Sequence, residues 1–184
     1  MEKLTTTLFL IILYLFIATP NASARILGKE KVARIHVYVH DRRAGGSNAT
    51  VFTVANASIT ATSPTGFGSV RVVDDLVTVG PDIKSAEVGR IQGMTTSADL
   101  KVNAVAINLN FVFTSGKYNG STVSIAGRNE VLLPQRELPV IGGTGLFRLA
   151  RGYAITSSYS FDVATNYAVL EYKIYVVYNS NVNL

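Results

Sequence analysis

The sequence contains no cysteine and only two histidines among its 184 residues. Without cysteine the chain can form no disulfide, thiol nucleophile, cysteine-ligated zinc site or iron–sulfur cluster. The two histidines, His36 and His40, stand four positions apart on a predicted strand, which separates them by about 13 Å. Because a metal ion needs several convergent ligands, the sequence predicts no metal site.

Apolar runs long enough to cross a bilayer are also missing. The longest apolar run, from Leu8 to Ile17, carries no charge and is shorter than the roughly 18 to 20 residues that a membrane-spanning helix needs. It follows Lys3 and precedes Ala22-Ser23-Ala24, an order typical of a secretory signal peptide with a small-residue cleavage site. We therefore predict a signal peptide over residues 1–24, cleavage after Ala24, a secreted chain and no membrane anchor.

The predicted mature chain, residues 25–184, is long enough for one domain with a sizeable core, and no change of composition indicates a second. Its Asn-x-Ser/Thr sites at Asn48, Asn56 and Asn119 are predicted glycosylation sites. The net charge of +5 favours loose association with polyanions. Since no aromatic platform is interleaved with the basic residues, nucleic acid is not an expected partner.

The pattern of apolar residues predicts an all-β fold. Val, Thr, Ile, Tyr and Phe are abundant, and almost no segment has helical spacing. Breaks at Gly, Pro, Asn and Asp delimit eight predicted strands, near residues 33–40, 50–57, 68–76, 88–95, 100–114, 121–126, 151–158 and 168–178. Eight antiparallel strands suit a closed barrel, but the same alternation fits a lipocalin-like barrel or a two-sheet sandwich.

Several familiar reaction types lack their residues. Asp74 and Asp75 are strand neighbours that point to opposite faces, so they cannot form a glycosidase pair and are interpreted as strand-end and turn residues. Gly142-Gly143-Thr144-Gly145 lacks the Lys-Ser/Thr of a phosphate-binding loop and is interpreted as a tight turn. No Gly-x-Ser-x-Gly motif occurs. The remaining polar groups suit an uncharged aromatic ligand with phenolic oxygens: Asp41, Asn129, Arg136 and several tyrosines. With no cofactor motif, any oxidation of that ligand requires a separate oxidant.

From residue 32 onward the chain resembles one family over almost its whole length. The most informative segment runs Gly142-Gly143-Thr144-Gly145-Leu146-Phe147-Arg148-Leu149-Ala150-Arg151-Gly152-Tyr153. The other matching phrases, in chain order, are His40-Asp41, Asp74-Asp75-Leu76 with Gly80-Pro81, Val88-Gly89-Arg90-Ile91-Gln92-Gly93, Phe111-Val112-Phe113-Thr114, Lys117-Tyr118-Asn119-Gly120-Ser121-Thr122, Gly127-Arg128-Asn129 and Glu137-Leu138-Pro139-Val140-Ile141. Together they are similar to the plant dirigent proteins.

This resemblance implies an eight-stranded antiparallel β-barrel similar to allene oxide cyclase. It also implies a protein of the apoplast, without a cofactor, that is no oxidative enzyme but a stereochemical guide. Such a protein captures phenoxy radicals made by a separate laccase or peroxidase and directs their coupling, as from monolignols to optically active lignans. A homo-oligomer, dimer or trimer, is expected, with contacts from a bulky apolar face formed by Ile107, Leu109, Phe111 and Phe113.

The resemblance also assigns site residues. Asp41 matches the family's pocket aspartate, which holds a phenol hydroxyl or shuttles a proton. Arg136 matches its essential pocket arginine, which stabilises negative charge on a phenolate or quinone-methide oxygen. Judged by residue type alone, Asp41 also fits a turn cap, and Arg136 fits a surface salt bridge with Glu137.

Three departures from the pattern of lignan-forming members point to a function other than radical coupling. Asn129 stands where those members have an aspartate, and Thr95 and Ser97 stand where they have tyrosines. Asparagine can hydrogen-bond but cannot act as a general acid. The Gly-Arg-Asn phrase resembles a subgroup in which some members are similar to pterocarpan synthases, which dehydrate and cyclise isoflavanols through a quinone methide. A barrel that only stores or carries an aromatic ligand is a third hypothesis.

Overall fold

A computed structural model describes residues 29–43 and 48–179. Nine strands follow one another there: β1 (Glu30–Arg42), β2 (Val51–Ala55), β3 (Val70–Thr78), β4 (Glu87–Ser97), β5 (Ala104–Phe113), β6 (Thr122–Glu130), β7 (Arg136–Thr144), β8 (Arg151–Asp162) and β9 (Tyr167–Asn179). Short 3₁₀ turns at Gly116–Tyr118 and Gly145–Phe147 precede β6 and β8. The predicted signal peptide and its cleavage site lie outside the described residues. Across these ranges, no helix has the length and apolar character needed to span a bilayer.

Eight of these strands close into an antiparallel barrel, which confirms the predicted fold. The hydrogen-bonded order is β1-β9-β8-β7-β6-β5-β4-β3, and the end of β3 returns to β1 through pairs such as Val39 with Val77. Each neighbouring pair is antiparallel. Closure matters because it pairs the two strands that would otherwise be edges of an open sheet.

The predicted number of barrel strands is right, but one of the eight predicted strands does not belong to the barrel. The sequence predicts β2 as a barrel strand, yet among the described strands it pairs only with the first part of β3, from Val51 opposite Val73 to Ala55 opposite Val70. The β1 pairing with β3 covers only the other end, from Leu76 to Thr78. β2 therefore extends the sheet beside the barrel opening, and the eighth barrel strand is β7.

β7 was missed because its sequence looks like a turn. Gly142 and Gly143 belong to the strand and pair with β6. A Cβ atom on Gly143 would lie 2.3 Å from the carbonyl oxygen of Thr122, so glycine here permits close backbone approach and not a turn. Pro139 further lowers the apparent strand propensity. The true turn begins at Gly145, whose φ is +61°.

The barrel interior has a solid half and an open half. In the solid half Phe147 is 0% exposed, and its ring centroid lies 5.8 Å from that of Phe113, 5.0 Å from Tyr118 and 5.3 Å from Tyr178. These four rings fill the end of the barrel next to the Gly145–Phe147 turn. The other half is less completely filled and forms the cavity described below.

The alternating pattern of β5 was interpreted correctly, but its bulky face points inward. Ile107, Leu109, Phe111 and Phe113 are all buried in the core. The expectation that this face contacts other copies of the chain is therefore wrong, because closing the barrel turns it into the interior.

Candidate functional site

The open half of the barrel holds a cavity of about 520 Å³. This volume is within the range of about 300–1,000 Å³ typical of small-molecule sites. Its apolar wall includes Ile91 of β4, Ile107 and Leu109 of β5, and Leu170 of β9. Its polar lining comes from strands and from the loops next to them: Asp41, Arg43, Thr53, Thr65, Arg71, Asp75, Thr95, Ser97, Asn103, Asn129, Asn166 and Tyr172.

Asp75 lines the cavity, so its interpretation as a strand-end and turn residue is wrong. It alternates with Val73 and Val77 toward the inside of β3 and is 2% exposed. The hydroxyl of Thr50 accepts the backbone N–H of Arg42 and donates to Oδ1 of Asp75 at 2.5 Å. Burial, followed by the nearby Asp41 charge, raises the pKa of Asp75 to about 8. Near neutral pH this side chain is therefore mostly a carboxylic acid.

Asp41 reaches the same cavity from β1 but has a different partner. Nε of Arg43 donates to its two oxygens at 2.9 and 3.0 Å, and Nη2 of Arg43 donates to Oδ2 at 2.7 Å. Such a bidentate pair fixes the carboxylate in one orientation. The hydrogen bond to Asp41 raises the pKa of Arg43. Asp41 is thus a strand residue lining the cavity, so the turn-cap interpretation is wrong.

Arg71 brings a second guanidinium into the cavity from β3. Its Nη1 donates to the hydroxyl of Ser97 at 3.3 Å. Within residues 29–43 and 48–179, no carboxylate forms an ion pair with it. Burial, followed by the neighbouring charge of Arg43, lowers its pKa.

Asn129 lies on β6 opposite Val105 and lines the cavity. Its Oδ1 is buried and accepts no hydrogen bond within the part of the chain that the structure describes. A buried acceptor without a partner is energetically costly, so a ligand O–H or N–H group is a natural partner for it. Thr95 and Ser97, the other departures from the lignan-forming pattern, line the same cavity.

Arg136 is buried but is not among the residues that line the cavity. Its Nη1 donates to the carbonyl of Leu133 and the hydroxyl of Ser158, whereas Nε lacks a partner within the described ranges. A surface salt bridge with Glu137 is therefore the wrong interpretation. The charge of Arg136 instead acts on Tyr172, a cavity residue whose pKa burial raises to about 12.

Both histidines lie on the outer face of β1, away from the cavity. His40 is 1% exposed, and its ring nitrogens contact the hydroxyls of Tyr167 at 2.5 Å and Thr78 at 2.7 Å. His36 pairs with Glu171 at 2.7 Å. Over residues 29–43 and 48–179, no group of three or more His, Cys, Asp and Glu side chains is placed to hold a metal ion.

Three charged cavity residues were not singled out from the sequence, although signals existed for each. Asp75 shares strand parity with the apolar Val73 and Val77, and Arg71 continues the same alternation. Arg43 is two residues after Asp41, the spacing that places strand side chains on one face. The sequence pattern does not show which face of each strand points into the barrel, so it could not place these three side chains in the cavity.

The chain resembles known proteins over most of its length. The family model for dirigent-like proteins matches residues 32–177. Dirigent protein 21 of Arabidopsis thaliana is 48% identical over 147 residues, covering 80% of this chain and 77% of that protein. Pterocarpan synthase 1 of Glycyrrhiza echinata is 39% identical over 159 residues, covering 85% and 84%.

Two solved structures are also similar. The pterocarpan synthase dirigent protein GePTS1 has a TM-score of 0.77 at 38% identity, covering 83% of this chain and 93% of that one. The pterocarpan synthase dirigent protein PsPTS1 has a TM-score of 0.72 at 35% identity, covering 82% and 97%. Together, the family match, the curated relatives and the closed barrel show that this chain belongs to the dirigent family.

Proposed function

We propose that the chain is a redox-neutral dehydratase and cyclase that removes water from a phenolic alcohol and closes a ring on the resulting quinone methide. One observation carries the proposal: Asp75 and Asp41 share one cavity in unlike environments, one held by a neutral hydroxyl and the other by Arg43. Two carboxyl groups in unlike surroundings can divide the roles of acid and base. This choice reverses the order expected from the sequence, which placed radical coupling first.

In the first step Asp75, as a carboxylic acid, donates its proton to the alcohol oxygen that leaves as water. Asp41 accepts the proton of the phenol, and the electron pair of that O–H bond moves through the ring to expel the water. The substrate loses one water molecule and becomes a quinone methide, and no oxidant is consumed. General acid and base groups of this kind typically contribute about 10²- to 10⁴-fold each.

In the second step an internal hydroxyl of the ligand attacks the methide carbon. Its proton returns to Asp75, and the proton held by Asp41 returns to the phenolic oxygen, so both side chains regain their starting states. The apolar wall of Ile91, Ile107 and Leu109 can hold the ring system so that one face is presented. A preference of about 1.4 kcal/mol between two orientations gives about tenfold selectivity.

Similarity to two pterocarpan synthases supports this choice. So do Asn129, Thr95 and Ser97, because all three depart from the lignan-forming pattern and line the cavity. Arg136 would act on the reaction indirectly, through its charge on Tyr172.

The test is an incubation without oxidant. A racemic isoflavanol with a second phenolic hydroxyl within reach of the methide carbon is given to the purified protein, and products are separated by chiral chromatography. We expect a ring-closed product lighter by one water and enriched in one enantiomer. Product formation at the rate without protein, or a racemic product at saturating protein, would contradict the proposal.

Stereoselective coupling of two phenoxy radicals is the second candidate, and the cavity volume favours it. A site of about 520 Å³ is suited to drug-sized ligands and therefore has room for more than a single-ring phenol. In this case a separate laccase or peroxidase removes one electron and one proton from each phenol. The protein then determines which face of each radical forms the new bond. Coniferyl alcohol with a one-electron oxidant, analysed with and without the protein, distinguishes the two: enantiomeric excess that appears only with both present favours coupling.

We also propose that the chain is secreted to the apoplast as a glycoprotein. Asn48, Asn56 and Asn119 are all exposed, as glycan attachment requires. A homo-oligomer, whether a dimer or a trimer, is proposed from the family resemblance alone.

A further inference from the structure

We propose that the preferred ligand of the cavity carries a carboxylate, and that Arg71 binds it. This inference rests on the proposed function for the location of the site, and it goes further by naming a chemical class of substrate. It differs from the expectation of an uncharged phenol that the sequence suggested.

The charged side chains that line the cavity do not balance. Arg43 and Arg71 both line it, as do Asp41 and Asp75. Asp41 is engaged by three hydrogen bonds from Arg43. Because burial raises the pKa of Asp75 to about 8, this side chain carries little negative charge near neutral pH. The cavity therefore holds one more positive than negative charge.

The Arg71 side chain uses few of its hydrogen-bond donors within the described part of the chain. A guanidinium has five N–H donors, whereas among residues 29–43 and 48–179 the side chain of Arg71 makes one hydrogen bond, a long one to Ser97. Arg71 is partly buried, and a cation that is partly removed from water is stabilised by pairing with an anion. Burial lowers the pKa of Arg71 most, and repulsion from Arg43 lowers it further by more than attraction to Asp41 raises it.

A carboxylate also fits the shape and charge of the Arg71 side chain. The planar guanidinium matches a carboxylate with two parallel hydrogen bonds, and these charge-assisted bonds are among the strongest in proteins. Arg71 lies opposite Thr53 of β2 and Thr95 of β4, and it contacts the hydroxyl of Ser97. A ligand carboxylate at this place would supply the missing partner of Arg71 while its ring packs against the apolar wall.

Ferulate and coniferyl alcohol provide a matched pair of probes, because they share the ring and carbon chain and differ by a carboxylate against a hydroxymethyl group. Isothermal titration of the purified protein at pH 7 should show ferulate binding about tenfold or more tightly. Arg71→Met should lower the ferulate affinity by about the same factor and change coniferyl alcohol affinity less than about threefold. Arg71→Lys should retain part of the preference, since it keeps the charge but loses the planar fork.

Arg90→Met is the matched control, because Arg90 lies on the outside of β4 and pairs with Asp74. It should leave both affinities unchanged. Equal affinities in the unmodified protein, or equal losses for both probes in Arg71→Met, would overturn the inference. Turnover of a neutral isoflavanol tests the acid–base chemistry separately, so failure of the carboxylate preference and failure of the proposed function give different results.

Discussion

Replacing Asp75 by asparagine should lower the rate of water loss from an isoflavanol by about 100-fold or more, the usual range for loss of a general acid. The amide keeps the size of the side chain and can still accept the hydrogen bond from Thr50. It cannot donate an ionisable proton to the leaving hydroxyl. The measurement is the initial rate of ring-closed product without oxidant, followed by chromatography.

The matched control for this variant is the adjacent residue. Asp74→Asn changes the same chemical group on the opposite face of β3, where Asp74 is exposed and pairs with Arg90. We expect this variant to turn over the isoflavanol at the unmodified rate. A drop of equal size in both variants, or an unchanged rate in Asp75→Asn, would remove Asp75 from the mechanism.

The raised pKa of Asp75 also predicts two pH dependences. The rate should fall as pH rises through about 8, because the carboxylic acid form is lost. The free energy of unfolding should change at lower pH than the rate does. Between pH of about 4 and 8 the unfolded chain releases this proton while the folded chain retains it. This group therefore makes the free energy of unfolding decrease as pH rises across that window. Asp75→Asn should lack both effects, and Asp74→Asn should retain them.

Replacing Phe147 by alanine should cost about 3–5 kcal/mol of folding free energy, as is typical of large-to-small changes in a core. Phe147 is completely buried at the solid end of the barrel, in contact with Phe113, Tyr118 and Tyr178. Its removal leaves a cavity that these three rings cannot fill without moving. For a domain of this size the loss corresponds to a decrease in Tm of about 10 °C, measurable by calorimetry.

Leu146→Ala is the comparison for this effect, because Leu146 is the preceding residue in the same turn and is 47% exposed. It should change stability by no more than about 0.5 kcal/mol. If Phe147→Ala were as stable as Leu146→Ala, the aromatic cluster would not hold the end of the barrel closed. Because the ligand cavity occupies the other half, ligand affinity of the folded Phe147→Ala protein should change little.

The sequence determined more of the fold than of the site. Alternation with a period of two is local, so β5, with Ile107, Leu109 and Phe111 on one face, could be recognised without a structure. The motifs from residue 32 onward indicated the family, and they singled out Asp41 and Asn129, both of which line the cavity. Alternation does not reveal which face of a strand points inward, which is why the inward face of β5 was mistaken for a contact surface.

Tertiary structure alone decided the chemistry of the individual groups. Asp75 looks like an ordinary strand-end carboxylate in the sequence, and only its burial, followed by the nearby Asp41 charge, raises its pKa enough to make it an acid near neutral pH. The structure shows that no carboxylate in its described part forms an ion pair with Arg71. It also shows that Arg136 lies outside the cavity lining. Pairing and burial depend on strands far apart in the chain that closure of the barrel brings together. Residue type and local spacing do not show which side chains of distant strands will lie next to each other.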